Sequence, residues 1–201
     1  MTSDALPTLV FATHNPNKVR ELQEMLGDRY RLRSLTDIGC HEDIVEDAAT
    51  LEGNARLKAQ HVVNHYGLDC FADDTGLEVD ALGGAPGVFS ARYAGTHGDA
   101  EANMSKLLSE LERVGAATPD ARSAQFRTAI CLMQNGVEQQ FEGLCKGTIA
   151  LVRSGAEGFG YDPIFTPEGI GQTFAEMDAN AINAISHRGR AVRAMVDRLR
   201  T

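Results

Sequence analysis

This chain has no long apolar run, no excess of basic residues and no paired cysteines, and each absence excludes something. A membrane-spanning helix needs about 20 consecutive apolar residues, and no segment approaches that length. Lys and Arg number 19 against 28 Asp and Glu, a formal charge of -9. That balance repels polynucleotides and anionic membrane surfaces unless basic residues gather locally. Neither nucleic acid nor a membrane is therefore expected as a partner, while a small polyanion stays open if a bound cation and a few basic side chains neutralise it. The four cysteines, Cys40, Cys70, Cys131 and Cys145, form no C-x-x-C pair and have no histidine at zinc-finger spacing. Free, buried thiols in a reducing cytosol are the expectation. Met1 to Pro7 has no basic region followed by an apolar stretch, which points to an unexported, cytoplasmic protein. Phosphate-binding G-x-x-x-x-G-K-[ST] is missing, and Gly155, Gly158 and Gly160 run in the wrong order for a dinucleotide fingerprint.

What is present reads as one α/β domain over 1–201. With 201 residues, 43% of them hydrophobic, the chain is long enough for a sizeable core. Thr8–Thr13 is a short apolar run, a buried strand, and Asn15 and Pro16 suit the cap and first position of a helix that places Val19, Leu22, Met25 and Leu26 at helical spacing. Tyr30–Leu35 alternates as a strand. A helix follows from about Leu51 to Tyr66, with Ala55, Ala59, Val62, Val63 and Tyr66 on one face and Asn54 and Lys58 sharing another. Asp69–Asp73 and Leu77–Asp80 read as two further strands, and Gly83–Gly87 as a structured loop. Another helix is predicted over Asp99–Val114. Asn135-Gly136 between Phe126–Met133 and Val137–Leu144 is a hairpin signal. A last helix starts near His187 and buries Ala191, Val192, Met195 and Leu199. Early helix–strand alternation followed by a hairpin predicts a mixed central sheet flanked by helices, with its site at strand ends.

Five places along the chain carry candidate chemistry. Asp73 and Asp74, where Cys70-Phe71-Ala72 meets Thr75-Gly76, read either as a divalent-metal holder or as a solvated, turn-forming strand end; the D-x-D-x-[TV] phosphotransferase spacing is not met. Glu46 and Asp47 supply carboxylates of the kind an octahedral Mg²⁺ takes, or are exposed loop acids. Thr13-His14-Asn15-Pro16-Asn17-Lys18 reads as a phosphate cradle at a helix start, or as an ordinary capped helix with a solvated lysine. His187-Arg188 places positive charge where it opposes the helix macrodipole, a placement better tolerated when an acceptor binds there. Phe159 and Tyr161 offer rings to a base or to packing.

In their order, T-H-N-P-N-K-V-R-E-L at 13–22, F-A-D-D-T-G-L-E-V-D-A-L-G-G-A-P-G-V-F-S-A-R-Y-A-G at 71–95, G-F-G-Y-D-P-I-F at 158–165 and S-H-R-G-R-A at 186–191 resemble the inosine triphosphate pyrophosphatase family. These are house-cleaning enzymes that hydrolyse non-standard purine nucleoside triphosphates. The resemblance runs from Leu9 to Leu199. It implies an elongated mixed α/β fold of two lobes with an active-site cleft between them, a homodimer, and Mg²⁺-dependent conversion of ITP, dITP or XTP to the monophosphate and pyrophosphate. By position, Thr13, His14, Asn15, Pro16, Asn17 and Lys18 match the segment that holds phosphates, and Asp74 matches the proton acceptor and metal ligand, with Asp73 and Glu46 as further metal candidates. Thr75 matches a small hydroxyl residue that contacts substrate. Phe159, Gly160, Tyr161, Asp162, His187 and Arg188 match the nucleobase pocket. Lys58, and Arg92 with it, would add positive charge. Two positions depart from the pattern: Asn183 stands where a lysine is usual, and Gly53 where an acidic residue precedes Asn54-Ala55. Two rival readings are a Maf-like pyrophosphatase for modified pyrimidines, which the Ser-His-Arg and Gly-Phe-Gly-Tyr-Asp blocks oppose, and a non-catalytic purine nucleotide sensor, which has no need of a paired-acid base.

Overall fold

The computed structural model of the protein describes residues 6–200, apart from the side chains of Asn17, Glu21 and Met25. The readings made at Met1–Ala5 and for the Asn17 and Met25 side chains lie outside the described residues. The chain runs β1 (Thr8–Phe11), α1 (Pro16–Leu26), β2 (Arg31–Arg33), α2 (Leu51–Tyr66), β3 (Cys70–Val79), β4 (Pro86–Gly87), α3 (Ala100–Arg113), β5 (Ser123–Gln134), β6 (Val137–Ile149), β7 (Phe165–Pro167), α4 (Ala179–Ile185) and α5 (His187–Leu199). Strands are ordered β2-β1-β3-β5-β6-β7, with β4 on β3. The β1–β2 and β1–β3 pairs are parallel and the β3–β4 and β6–β7 pairs antiparallel, so the sheet is mixed as expected.

Residue contacts divide the chain into two units. One comprises the chain up to Asp74, Ala129–Glu142 and everything from Ala191; the other comprises Thr75–Thr128 and Gly143–Arg190. In the first unit the period of two along each strand sorts side chains into two cores. Leu9, Phe11, Phe71, Ile130 and Leu132 pack with Leu22 and Leu26 of α1 and with Ala191, Val192 and Met195 of α5. Their neighbours in sequence, Val10, Ala12, Cys70, Ala72, Cys131 and Met133, point the other way and meet Ala55, Ala59 and Val62 of α2. The second unit has one core, in which Leu77, Val79, Phe126, Ile149 and Phe165 from the strands meet Met104, Leu107 and Leu111 of α3.

Local chemistry sets the element ends. The Thr50 side chain accepts from the Gly53 amide to cap α2, and Gly67 closes that helix in the left-handed region at φ 63. The Lys18 amide donates to Asn15 Oδ1 at 3.4 Å ahead of α1, and Pro16 is its first residue. Asn135 and Gly136 both have positive φ, 51 and 76, which is the turn that matches strand twist in a two-residue hairpin.

Two readings need correction, and one helix was not foreseen. Asp69–Asp73 and Leu77–Asp80 are not two strands: β3 is continuous from Cys70 to Val79, because Asp73-Asp74-Thr75-Gly76 is laddered rather than turned. Helix α4 follows no apolar stripe in Ala179–Ile185 strong enough to read, and is set instead by Asp178, whose side chain accepts from the Ala181 amide. Strand β6 extends past Leu144 to Ile149, where a Cβ at Gly147 would lie 2.3 Å from the Thr166 carbonyl oxygen on β7.

The loop before Tyr161 depends on a similar close approach. At Gly155, with φ +81, a Cβ would lie 2.3 Å from the Ala175 carbonyl, whereas at Gly169, with φ +76, nothing stands within 4 Å. Gly169→Ala carries only the left-handed backbone cost, about 1–2 kcal/mol. Gly155→Ala adds a backbone clash and should lower the urea unfolding midpoint distinctly more than Gly169→Ala; equal midpoints would show that the loop yields freely.

Candidate functional site

Strand alternation settles the immediate surroundings of the two consecutive acids. Asp73 has the parity of Phe71 and therefore points to the α1 side. There Lys18 Nζ of α1 lies 3.2 Å from both Asp73 carboxylate oxygens. This carboxylate is only 5% exposed and Lys18 26% exposed. A charge buried that far needs a partner of opposite sign. Lys18 also sits 6.0 Å over the Phe11 ring. Asp74 has the parity of Cys70 and Ala72 and points to the α2 side, where Asn54 Nδ2 donates to Asp74 Oδ2 at 3.0 Å.

Helix α2 extends that second set. Asn54 is 1% exposed, and its Oδ1 accepts from the Ala48 amide at 3.0 Å, so one amide side chain ties the loop before α2 to Asp74. One turn on, Lys58 Nζ donates to Glu46 Oε2 at 2.8 Å. The spacing of Asn54 and Lys58 thus puts both polar groups on the face that meets Asp74 and the Glu46 loop. Gly53 has a local reason: a Cβ there would lie 2.6 Å from the Ala48 Cβ, so a larger residue requires this loop to move.

Thr13–Lys18 is a self-bonded turn. The Asn15 amide donates to Thr13 Oγ1 at 3.2 Å, and the exposed His14 ring lies 3.4 Å from both Thr36 Oγ1 and the Glu42 carbonyl oxygen.

In the second unit, His187 and Arg188 open α5, and Ser186 caps it by accepting from the Gly189 amide at 3.1 Å. The buried His187 ring stacks on Phe126, centroids 4.6 Å apart at 16°. Phe126 packs in turn against Phe165 and Phe174, so the imidazole orientation is fixed by an aromatic core. Phe159 is 71% exposed, with the Arg188 guanidinium 6.0 Å over its ring. Its amide donates to Asp162 Oδ2 at 2.9 Å, and Gly158 makes room, since a Cβ there would lie 2.3 Å from that oxygen. Gly160 takes φ +65. Tyr161 is buried and its hydroxyl donates to the Ser90 carbonyl at 2.9 Å, so its ring belongs to packing. Thr75 and Thr128 exchange a hydroxyl hydrogen bond at 2.8 Å. Asn183 is half-buried on α4.

Asn54, Phe126 and Thr128 support the site but carry no motif. Asn54 was detectable only as the residue one turn before Lys58. Phe126 and Thr128 read in sequence as ordinary strand residues, because their partners are distant along the chain.

Burial pushes the Asp162 carboxyl up from 3.8 to about 6, against the opposing pull of the Phe159 amide and the Arg188 charge. Since the folded value is the raised one, the associated stability is complete below about pH 4 and is lost as pH rises through about 6. Asp162→Asn keeps an acceptor for the Phe159 amide and removes the titration. Melting temperatures of the two proteins should therefore diverge in favour of the variant between about pH 4 and pH 7. Parallel melting curves across that range would show that Asp162 is not burdened by burial.

Comparison with known proteins accounts for nearly the whole chain. The model of the Ham1 family matches residues 9–198. A dITP/XTP pyrophosphatase of Flavobacterium psychrophilum is 54% identical over 189 residues, 94% of this chain and 97% of that one. Among solved structures, a HAM1 protein from Coxiella burnetii superposes with a TM-score of 0.90 at 38% identity, covering 96% of this chain and 98% of the other. A nucleoside-triphosphatase / dITP/XTP pyrophosphatase from Mycobacterium abscessus has a TM-score of 0.79 at 44% identity, with coverage of 94% and 98%. The fold and the family resemblance of the motifs are borne out together: the chain belongs to the Ham1 family.

Proposed function

We propose that the protein hydrolyses non-standard purine nucleoside triphosphates, dITP, ITP and XTP, to the monophosphate and pyrophosphate, removing them from the nucleotide pool. Relatives named dITP/XTP pyrophosphatase support this reading over nearly the full chain. The observation that carries the chemistry is the consecutive acid pair on β3, with a lysine on one acid and a buried amide on the other.

Mg²⁺ is the proposed cofactor. The donor set fits it, because Asp74 and Glu46 offer hard carboxylate oxygens of the kind that cation takes. Asp74 and Glu46 would hold the ion on the α2 side, with Asp73 kept for Lys18. When bound, the ion would neutralise phosphate charge and polarise the reacting phosphoryl group. Asp74 orients a water and accepts its proton as the water oxygen bonds to the α-phosphorus and the bond to the bridging oxygen of the leaving pyrophosphate breaks. Asn54 holds the Asp74 carboxylate in one orientation. Lys18 and Lys58 add positive charge for the phosphates, and Thr13 to Asn17 shape the turn beside them. Thr75 contributes a hydroxyl to the substrate.

The base is assigned to Phe159, Gly160, Asp162, His187 and Arg188, with the Tyr161 ring packed beneath them. A 6-oxo group accepts from His187 and Arg188, whereas the 6-amino group of adenine presents donors to donors. A pocket built on hydrogen bonds rejects such a mismatch strongly. Phe159 lies against one face of the purine. The same reading makes the protein a cytoplasmic homodimer; among the described residues no helix is long and apolar enough to cross a membrane.

The test is a panel of dITP, XTP, ITP, ATP and dTTP with Mg²⁺, scoring pyrophosphate and orthophosphate separately. Pyrophosphate from the first three and scarcely any from ATP or dTTP is the expected result. Equal turnover of ATP removes the base assignment, and orthophosphate as the product removes attack at the α-phosphorus. Asp74→Asn should lower kcat by about 10²–10⁴ with nucleotide binding retained. A near wild-type kcat removes Asp74 as the base, and loss of turnover with loss of binding makes it a binding residue instead.

A further inference from the structure

A second donor set lies in the first unit, and its chemistry differs from that of the carboxylates. Cys40 Sγ, Glu42 and His61 each offer one ligand atom, and these atoms all lie within 4.8 Å of one another. His61 Nε2 is 3.8 Å from Cys40 Sγ and 3.1 Å from Glu42 Oε1. Metal–ligand bonds of about 2.0–2.3 Å at tetrahedral angles place neighbouring ligand atoms roughly 3.4–3.6 Å apart. The observed separations bracket that spacing, and the adjustment falls on Glu42, whose side chain is 55% exposed.

The surroundings favour coordination over a chance cluster. One ring nitrogen of His61 faces a thiol and a carboxylate at once, and a single N–H cannot serve both well. Cys40 is fully buried and His61 18% exposed, so two of the three donors are already held by packing. The His61 ring is braced by stacking on His65 at 4.2 Å. The Tyr66 ring lies against the same imidazole, centroids 6.4 Å apart.

We propose that Cys40, Glu42 and His61 bind a zinc-class divalent ion as three protein ligands, leaving a fourth position for water. The thiol proton of Cys40 passes to solvent on binding, and His61 coordinates through neutral Nε2. Sulfur and imidazole select such an ion against Mg²⁺, which demands octahedral oxygen. The ion would clip the segment between Cys40 and Glu42 to the middle of α2. Glu46 follows four residues later and pairs with Lys58 of the same helix. The clip therefore restrains the loop that carries Glu46 without using any group assigned to the reaction.

Chelator-treated full-length protein titrated with Zn²⁺ against a chromophoric competitor should bind one equivalent and melt at a higher temperature, and an equal concentration of Mg²⁺ should do neither. Co²⁺ in place of Zn²⁺ should give a thiolate-to-metal charge-transfer band and intense tetrahedral visible bands. His61→Ala and Glu42→Gln should weaken binding by roughly tenfold or more, and Cys40→Ser should abolish the charge-transfer band. Glu42→Gln alters an exposed side chain, so it reads the site even if Cys40→Ser fails to fold. Absence of stoichiometric Zn²⁺ binding, unchanged affinity in both His61→Ala and Glu42→Gln, or a charge-transfer band that persists in folded Cys40→Ser overturns the proposal.

Discussion

Two carboxylates that follow one another along a strand cannot point the same way, and the chemistry of the first unit is organised by that constraint. The pleat sends Asp73 toward α1 and Asp74 toward α2. Each then needs its own partner, because a buried carboxylate without one is costly. Asp73 receives a full positive charge from Lys18, which suits a group almost removed from solvent. Asp74 is less deeply buried and receives a neutral amide from Asn54. The difference matters for reactivity. A lysine against a carboxylate opposes its protonation, whereas an amide orients a carboxylate without adding charge. Of the two acids, Asp73 is thus the one held by an opposite charge, and Asp74 is oriented by an amide.

The second unit applies a different device to the same end of holding a polar group still. His187 is immobilised by an aromatic stack instead of an ion pair, and Arg188 follows it on the first turn of a capped helix. Phe159 keeps most of its ring exposed while its backbone is anchored by Asp162. That anchor requires glycine at 158, where any side chain would displace the carboxylate. Gly158 is therefore required by an acid folding back into the loop, and burial is what raises the Asp162 carboxyl.

How much of this was legible in the sequence follows from the distance over which each feature is determined. Helix α2 was read with correct ends because Thr50, Gly67 and the Ala55-Ala59-Val62 face all act within the helix. The Asn135-Gly136 hairpin was legible for the same reason, since positive φ at both residues is a local demand. The interruption expected in β3 was an error of context: Asp-Asp-Thr-Gly has turn chemistry in isolation, and ladder bonds together with side-chain partners on α1 and α2 override it. Similarly, the stack of Phe126 on His187 joins positions 61 residues apart in number, and no spacing rule reaches that far. The motif blocks contain Lys18, Asp162 and Ser186, whose partners are Asp73, the Phe159 amide and the Gly189 amide, while Asn54, Phe126 and Thr128 came to notice through the fold.

The first unit also shows how donor hardness divides labour within a short stretch of chain. Between Cys40 and Glu46 the loop supplies a thiol and a carboxylate to one cluster and a second carboxylate to a lysine on α2. Both groupings are completed by the same helix, His61 by one and Lys58 by the other, three residues apart and hence on neighbouring faces. The thiol and the imidazole gather with one carboxylate, Glu42, whereas Lys58 and Asn54 meet carboxylates alone, Glu46 and Asp74. An ion drawn to sulfur and one drawn to oxygen would then compete little for ligands, although both act on the geometry of one loop. The feature that couples them is α2 itself, a capped helix whose polar positions Asn54, Lys58 and His61 reach separate partners because its apolar positions Ala55, Ala59 and Val62 are fixed against the sheet.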